Sequence, residues 1–207
     1  MKSTIQTLLV FWSAMLLLCS SSLSAQNLYR KDCIYLICRG TKQKVGLIAE
    51  KYNLKDPHIT HVGIGLWVRK KFMIYHVIND RNGPSDLVIE SLAGFKSPQD
   101  LFYLSIWACA ISKKEQLRLY EILQSYSKQK ITFDTDFKAQ NKKLYCSEFC
   151  VEVLEKLNNK KFHFVKNKQT LDFFSSKILE REVIEYYPVD FFRNNPNFKK
   201  IFEQNIN

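Results

Sequence analysis

Residues 60–80 read THVGIGLWVRKKFMIYHVIND. Val62, Ile64, Leu66 and Val68 alternate with His61, Gly63, Gly65 and Trp67, the period-two pattern of a strand with one apolar face. A basic turn, Arg69-Lys70-Lys71, separates this run from a second strand at 72–79. So short a connection makes the pair an antiparallel hairpin. With that three-residue turn Val68 pairs with Phe72, and His61 faces Asn79 on the same side of the sheet. A four-residue turn puts Asp80 there instead, because a slip of one residue flips a strand's faces. With the three-residue turn, His76 opposes Ile64 and is expected to point away. The two glycines on the face of His61 leave room for a close approach by backbone or ligand.

Further strands are expected at 32–38, 86–91 and 100–108, and helices at 42–52, 112–129 and 146–157. In the helix at 112–129, Leu117, Tyr120, Leu123 and Tyr126 form one stripe, and Ser112 with Glu115 fits a capping box. In the helix at 146–157, Phe149, Cys150, Val153, Leu154 and Leu157 face the core, while Glu148, Glu152, Glu155 and Lys156 face outward. The fold class is therefore α+β, an antiparallel sheet packed against helices. No internal repeat, low-complexity segment or linker divides it.

Residues 1–25 differ from the rest. Lys2 is their only charge, an apolar run covers Leu8–Leu18, and small residues end at Ala25. This describes a secretory signal peptide, too short for a comfortable membrane span of ~20 residues. Residues 26–207 then form a single domain, exported to a periplasmic or extracellular space. Cys19 raises a lipoprotein reading, which Leu18 before it disfavours.

The net charge is +11, but the basic residues are scattered. No arginine-rich helix or aromatic RNA-binding motif is present, so no nucleic-acid partner is expected. Peripheral contact with an anionic envelope surface fits the charge. Beyond the signal segment lie five cysteines, Cys33, Cys38, Cys109, Cys146 and Cys150. An odd number leaves at least one thiol outside any disulfide. No zinc-type ligand spacing occurs; His58 and His61 are close but lack partner ligands. No glycine-rich phosphate loop occurs either, so no metal and no cofactor is expected.

KKLYCSEFC (142–150) places Cys146 at the start of its helix and Cys150 one turn deeper on the apolar stripe. A helix N-terminus lowers a cysteine pKa and favours the nucleophilic thiolate. Cys146 is thus the candidate nucleophile, His61 the candidate base, and Asn79 or Asp80 the group that orients the imidazole.

At these residues the sequence resembles the permuted papain-like amidases, the YiiX/YebB-like branch of the NlpC-type cysteine hydrolases. DCIYLI (32–37), THVGIGL (60–66), FDTDF (133–137), YCSEF (145–149) and the segment 186–202 carry the resemblance, in order. Lys31 stands where that family has glycine. The resemblance implies a circularly permuted papain-like fold, Cys146 as nucleophile and His61 as base. It places the third residue at Asn79 by spacing or at Glu90 by the letters VIES (88–91); the hairpin pairing prefers Asn79. Tyr145, beside the nucleophile, is expected to line the substrate site or assist at the oxyanion.

The expected activity is an exported cysteine amidase or peptidase acting on a small peptide, a peptidoglycan fragment or an acyl-amide. A lipid acyl hydrolase or transferase is the close variant. A catalytically degenerate binding module is the reading from a different class, and a disulfide-clipped structural protein is a third.

Overall fold

The computed structural model describes residues 29–42, 49–79, 84–137 and 141–206. The signal-peptide reading, Asp80 and most of the helix expected at 42–52 lie outside them; Ala49–Lys51 are helical. Met1–Lys31 and Asp32–Asn207 form separate units, and every element below lies in the second.

The strands are β1 (Cys33–Thr41), β2 (His61–Val68), β3 (Lys71–Val77), β4 (Leu87–Glu90), β5 (Leu101–Ala110), β6 (Asn167–Thr170), β7 (Val183–Tyr186) and β8 (Lys199–Asn205). Six form one sheet in the order β4-β3-β2-β1-β5-β8, with each adjacent pair antiparallel. Strands β6 and β7 form a separate hairpin. The helices are α1 (Leu92–Phe95), α2 (Lys113–Ser127), α3 (Cys146–Asn158) and α4 (Phe173–Leu179). The α+β class with an antiparallel sheet against helices is therefore what the chain adopts.

Every residue of β1 is buried, which explains why its first six residues, Cys33–Cys38, run apolar without alternation. Helix α3 packs on β2 and β3, and α2 packs on α3. Phe149, Cys150, Val153, Leu154 and Leu157 of α3 join Ile34, Leu36, Val62 and Ile64 in one core. Each such aliphatic side chain contributes about 1.5–3 kcal/mol by leaving water, which fixes α3, and with it Cys146, against the sheet.

Helix α2 begins with the capping box expected: Ser112 accepts from the Glu115 N–H, and Glu115 accepts from the Ser112 N–H. Its buried stripe is different. Leu119, Leu123 and Tyr126 face the core, whereas Leu117 is 61% exposed. Six apolar positions crowd this helix, and i, i+4, i+7 spacing from Leu119 satisfies the core better than a stripe begun at Leu117.

The hairpin register also differs from expectation. Val68 pairs with Lys71, not Phe72, and Ile64 pairs with Tyr75. The turn is the two residues Arg69 and Lys70, both left-handed at φ 44° and 71°. Two positive φ values mark the type I′ geometry, whose twist matches that of the flanking strands. The one-residue shift moves His76 onto the face of His61 and removes Asn79 from the position opposite it. Gly63 then has His76 as its cross-strand neighbour: a Cβ built there would lie 3.0 Å from the His76 Cβ and 2.8 Å from Ile74 Cγ2. The space beside Gly65 is taken by the Phe72 ring. The glycines admit side chains of the neighbouring strands, and at Gly63 also the Tyr75 carbonyl oxygen, 3.1 Å from a Cβ built there. Gly63→Ala is expected to cost about 1–3 kcal/mol by overpacking, read as a lower urea midpoint at unchanged m-value.

Candidate active site

His61 opens β2, and its ring is buried. Its Nε2 lies 2.8 Å from His76 Nδ1, and His76 Nε2 lies 2.8 Å from Glu90 Oε1. Register builds this row: His76 is carried by β3, and Glu90 closes β4 opposite Ile74. The Phe95 ring of α1 seats both imidazoles, with ring centroids 5.7 Å from His61 and 5.1 Å from His76.

The row has a direction. A carboxylate accepts only, so His76 donates from Nε2 to Glu90. A neutral His76 then accepts at Nδ1 from the His61 Nε2–H. His61 is left with an unprotonated Nδ1. Both rings are held neutral near pH 7, because burial pushes each pKa below the ordinary 6.5. Arg39 and His76 add to that at His61, whereas Glu90 partly offsets it at His76. The arrangement therefore presents a neutral base with its tautomer fixed by the sheet.

Cys146 is the first residue of α3, after Tyr145 as N-cap. The backbone N–H groups of Val62, Ser147 and Cys146 and the Arg39 charge favour its thiolate. Burial nonetheless outweighs these and raises the thiol above the ordinary value of 9.0. The expected lowering at the helix terminus is thus reversed, since desolvation penalises the thiolate more than N–H groups and cation favour it. Iodoacetamide labelling of Cys146 is accordingly expected to accelerate as pH rises through 9.0, followed by mass spectrometry of the peptide, with no plateau below pH 8.

Cys146, His61, Asn79 and Tyr145 all line one cavity of about 390 Å³. No hydrogen bond joins Cys146 to His61 among the described residues; catalytic contacts of this kind commonly tighten only with substrate in place. Asn79 stands on the cavity wall rather than against the imidazole. Glu90, the alternative third residue, acts on His61 only through His76. The Tyr145 hydroxyl accepts from the Tyr187 N–H at 2.8 Å, and Ser147 Oγ donates to the Tyr187 carbonyl at 2.7 Å. These bonds bring residues 186–189 over the first turn of α3. Glu148, expected outside, is buried, and desolvation pushes its carboxyl up to about 7 although Lys166 Nζ lies 3.9 Å away.

His76 and Arg39 were not singled out by the sequence. A two-residue turn would have found His76, but Arg-Lys lacks the Asn-Gly signature of such turns. His58 stacks on Tyr103 at 5.3 Å and sits beside Asp56 rather than joining His61. Cys38, Cys109, Cys146 and Cys150 are free thiols. Cys150 is fully buried on the core stripe. Among the described residues no group of three or more His, Cys, Asp or Glu side chains could hold a metal ion, and no helix is long and apolar enough to cross a membrane.

No protein-family model and no curated protein matches the chain. A solved structure does: the crystal structure of the metalloprotein YiiX from Escherichia coli O157:H7, of the DUF1105 group. The two superpose with a TM-score of 0.62 over 86% of this chain and 100% of that one, at 12% identity. The chain has a YiiX-like fold. At such low identity the likeness carries the architecture alone; the YiiX-like sheet and helices bring His61, His76, Glu90 and Cys146 together.

Proposed function

We propose that the protein is a cysteine hydrolase that cleaves an amide or acyl bond, on a permuted papain-like variant of the YiiX-like fold. The observation that carries this reading is the His61–His76–Glu90 row, which leads into the cavity where Cys146 stands at a helix N-terminus. His61 Nδ1 takes the Cys146 proton as the sulfur attacks the carbonyl carbon. The Cys146 N–H supports the oxyanion. His61 then returns the proton to the leaving amine or alcohol, and water, deprotonated by His61, hydrolyses the thioester. Because thiol and imidazole are both neutral at rest, proton transfer accompanies attack instead of preceding it.

Outside the cytoplasm, cell-wall peptides are the first substrates to consider. A specific observation favours the acyl variant as the second reading: Phe133, Phe137, Ile178, Leu179 and Ile184 give the cavity a largely apolar wall, which suits an aliphatic chain. YiiX is described as a metalloprotein. In the present chain the His76 nitrogens and His61 Nε2 are engaged in the row, so this donor set does not fit a metal, and no step is routed through one.

The test is to incubate the chain without residues 1–25 with peptidoglycan fragments and with phospholipid, at neutral pH in reductant, and to identify products by mass spectrometry. Cleaved amide or released fatty acid that disappears in Cys146→Ala supports the reading. Absence of product from both substrates removes it in favour of a binding module.

A further inference from the structure

The cavity that holds Cys146 carries a buried cation. Arg39 of β1 pairs with His61 of β2, so the two side chains leave the sheet on one face. It is 5% exposed. Its guanidinium lies over the Phe95 ring, Cζ 4.5 Å from the centroid, and Nη1 donates to the Phe95 carbonyl at 2.7 Å. Ring and carbonyl together fix the plane of the group. Its Nε is buried without an acceptor among the described residues, and Arg39 forms no ion pair among them. Glu90, the Cys146 thiolate and Asp100 act on it only through longer-range attraction.

A guanidinium stays charged even here, and a buried charge is costly unless paired. Arg181 and Arg193 also bury an Nε without an acceptor, but Arg39 is the one of these three that stands on the wall of the cavity lined by Cys146 and His61.

We infer that Arg39 anchors an anionic group of the substrate, a carboxylate or phosphate near the bond that Cys146 attacks. The inference rests on the cysteine-hydrolase reading for its attacked bond. The anion completes the guanidinium's hydrogen bonds in the fork geometry that carboxylates and phosphates match. The uncharged remainder of the substrate lies along Phe133, Phe137 and Ile184. The substrate class is then an acyl or peptidyl compound, acidic at its reacting end and apolar beyond it. Two sources supply that chemistry, a peptide carboxylate and a phospholipid headgroup.

Alkylation of Cys146 tests this without requiring hydrolysis. Iodoacetate and iodoacetamide deliver the same carbon to the sulfur with loss of iodide, but iodoacetate alone is an anion. Second-order rates for Cys146 are measured with both reagents, by peptide mass spectrometry, in the wild-type chain, Arg39→Lys and Arg39→Gln. The wild type should favour iodoacetate by about 10–100-fold, the value of one or two charge-assisted hydrogen bonds. Arg39→Gln should slow both reagents, because the cation also favours the Cys146 thiolate, but should slow iodoacetate by the larger factor and so lose the preference; Arg39→Lys should keep part of it. Equal rates in the wild type, or a preference that survives in Arg39→Gln, would overturn the anchor. A fall in both rates by the same factor in Arg39→Gln would also overturn it and leave Arg39 acting only through the Cys146 and His61 electrostatics. Inorganic phosphate and succinate are then added as competitors of iodoacetate. Stronger protection by phosphate assigns the headgroup source, stronger protection by succinate the peptide carboxylate, and protection by neither counts against the anchor. The hydrolase reading fails separately, when no product forms from peptidoglycan or phospholipid.

Discussion

Cys146→Ala is expected to lower kcat/KM by at least ~10⁴-fold, to the level left by binding and the backbone N–H groups alone. The effect is large because no other thiol can substitute. Cys150 is one turn deeper and fully buried, and Cys38 is buried in β1. Both thiols are pushed well above the ordinary 9.0, chiefly by desolvation. The fold should survive, since alanine has high helix propensity and removes a single sulfur from the first turn of α3. His61→Ala should give a loss of similar size, and the double variant should be little worse than either single one, because the two act as a unit. Initial rates on whichever substrate yields product, with circular dichroism of each variant, check this. A Cys146→Ala variant that retained a tenth of the wild-type rate would exclude thiol catalysis.

The second large effect is at His76. His76→Phe keeps an aromatic ring against Phe95 but removes both ring nitrogens. The His61 Nε2–H then loses its acceptor and Glu90 loses its donor. A loss of ~10²–10⁴-fold in kcat is expected, the scale of removing or misdirecting a general base, with KM nearly unchanged because His76 is not on the cavity wall. Glu90→Gln should cost less: the amide oxygen can still accept from His76 Nε2, so the tautomer survives and only the negative charge is lost. Asn79→Ala, which leaves the row intact, should reduce kcat far less than His76→Phe. Were Asn79→Ala the more damaging, the row would not be orienting His61.

The contrast between Asn79 and His76 shows how far the sequence could be read. Alternation along 60–68 located β2, placed His61 at its start, and set Val62 and Ile64 toward the helices, because half-buried strands repeat every two residues. The periodicity of 146–157 placed Cys150 on the core stripe and Cys146 at the helix start. Those patterns are local and hydrophobic, so they survive folding. Pairing partners across the hairpin depend on one residue more or less in a turn, and Arg69-Lys70-Lys71 carries no glycine or asparagine to mark where the strands part. That single count decided which side chain meets His61. Burial was legible only where sequence neighbours supplied it. Glu148 and the Cys146 thiol are desolvated by burial in a helix start tied to Tyr187, forty positions away, and burial outweighed what the helix terminus alone predicted. Strand β8 and the β6–β7 hairpin escaped for a similar reason: their short, polar-rich segments are held by pairing with distant partners rather than by their own pattern.

The turn at Arg69 and Lys70 stands about 25 Å from His61, at ~3.3 Å of rise per strand residue, yet it selects the chemistry. With two residues in the turn, the imidazole is backed by a second imidazole and a carboxylate. With three, the same letters would turn His76 into the apolar face and set Asn79 behind His61, an amide in place of an ionisable chain. Drawing Lys71 out of its strand and into the turn, with no change of sequence, would thus exchange one kind of proton-handling site for another. Where the turn falls along the chain, not only which residues are present, sets the partner of His61.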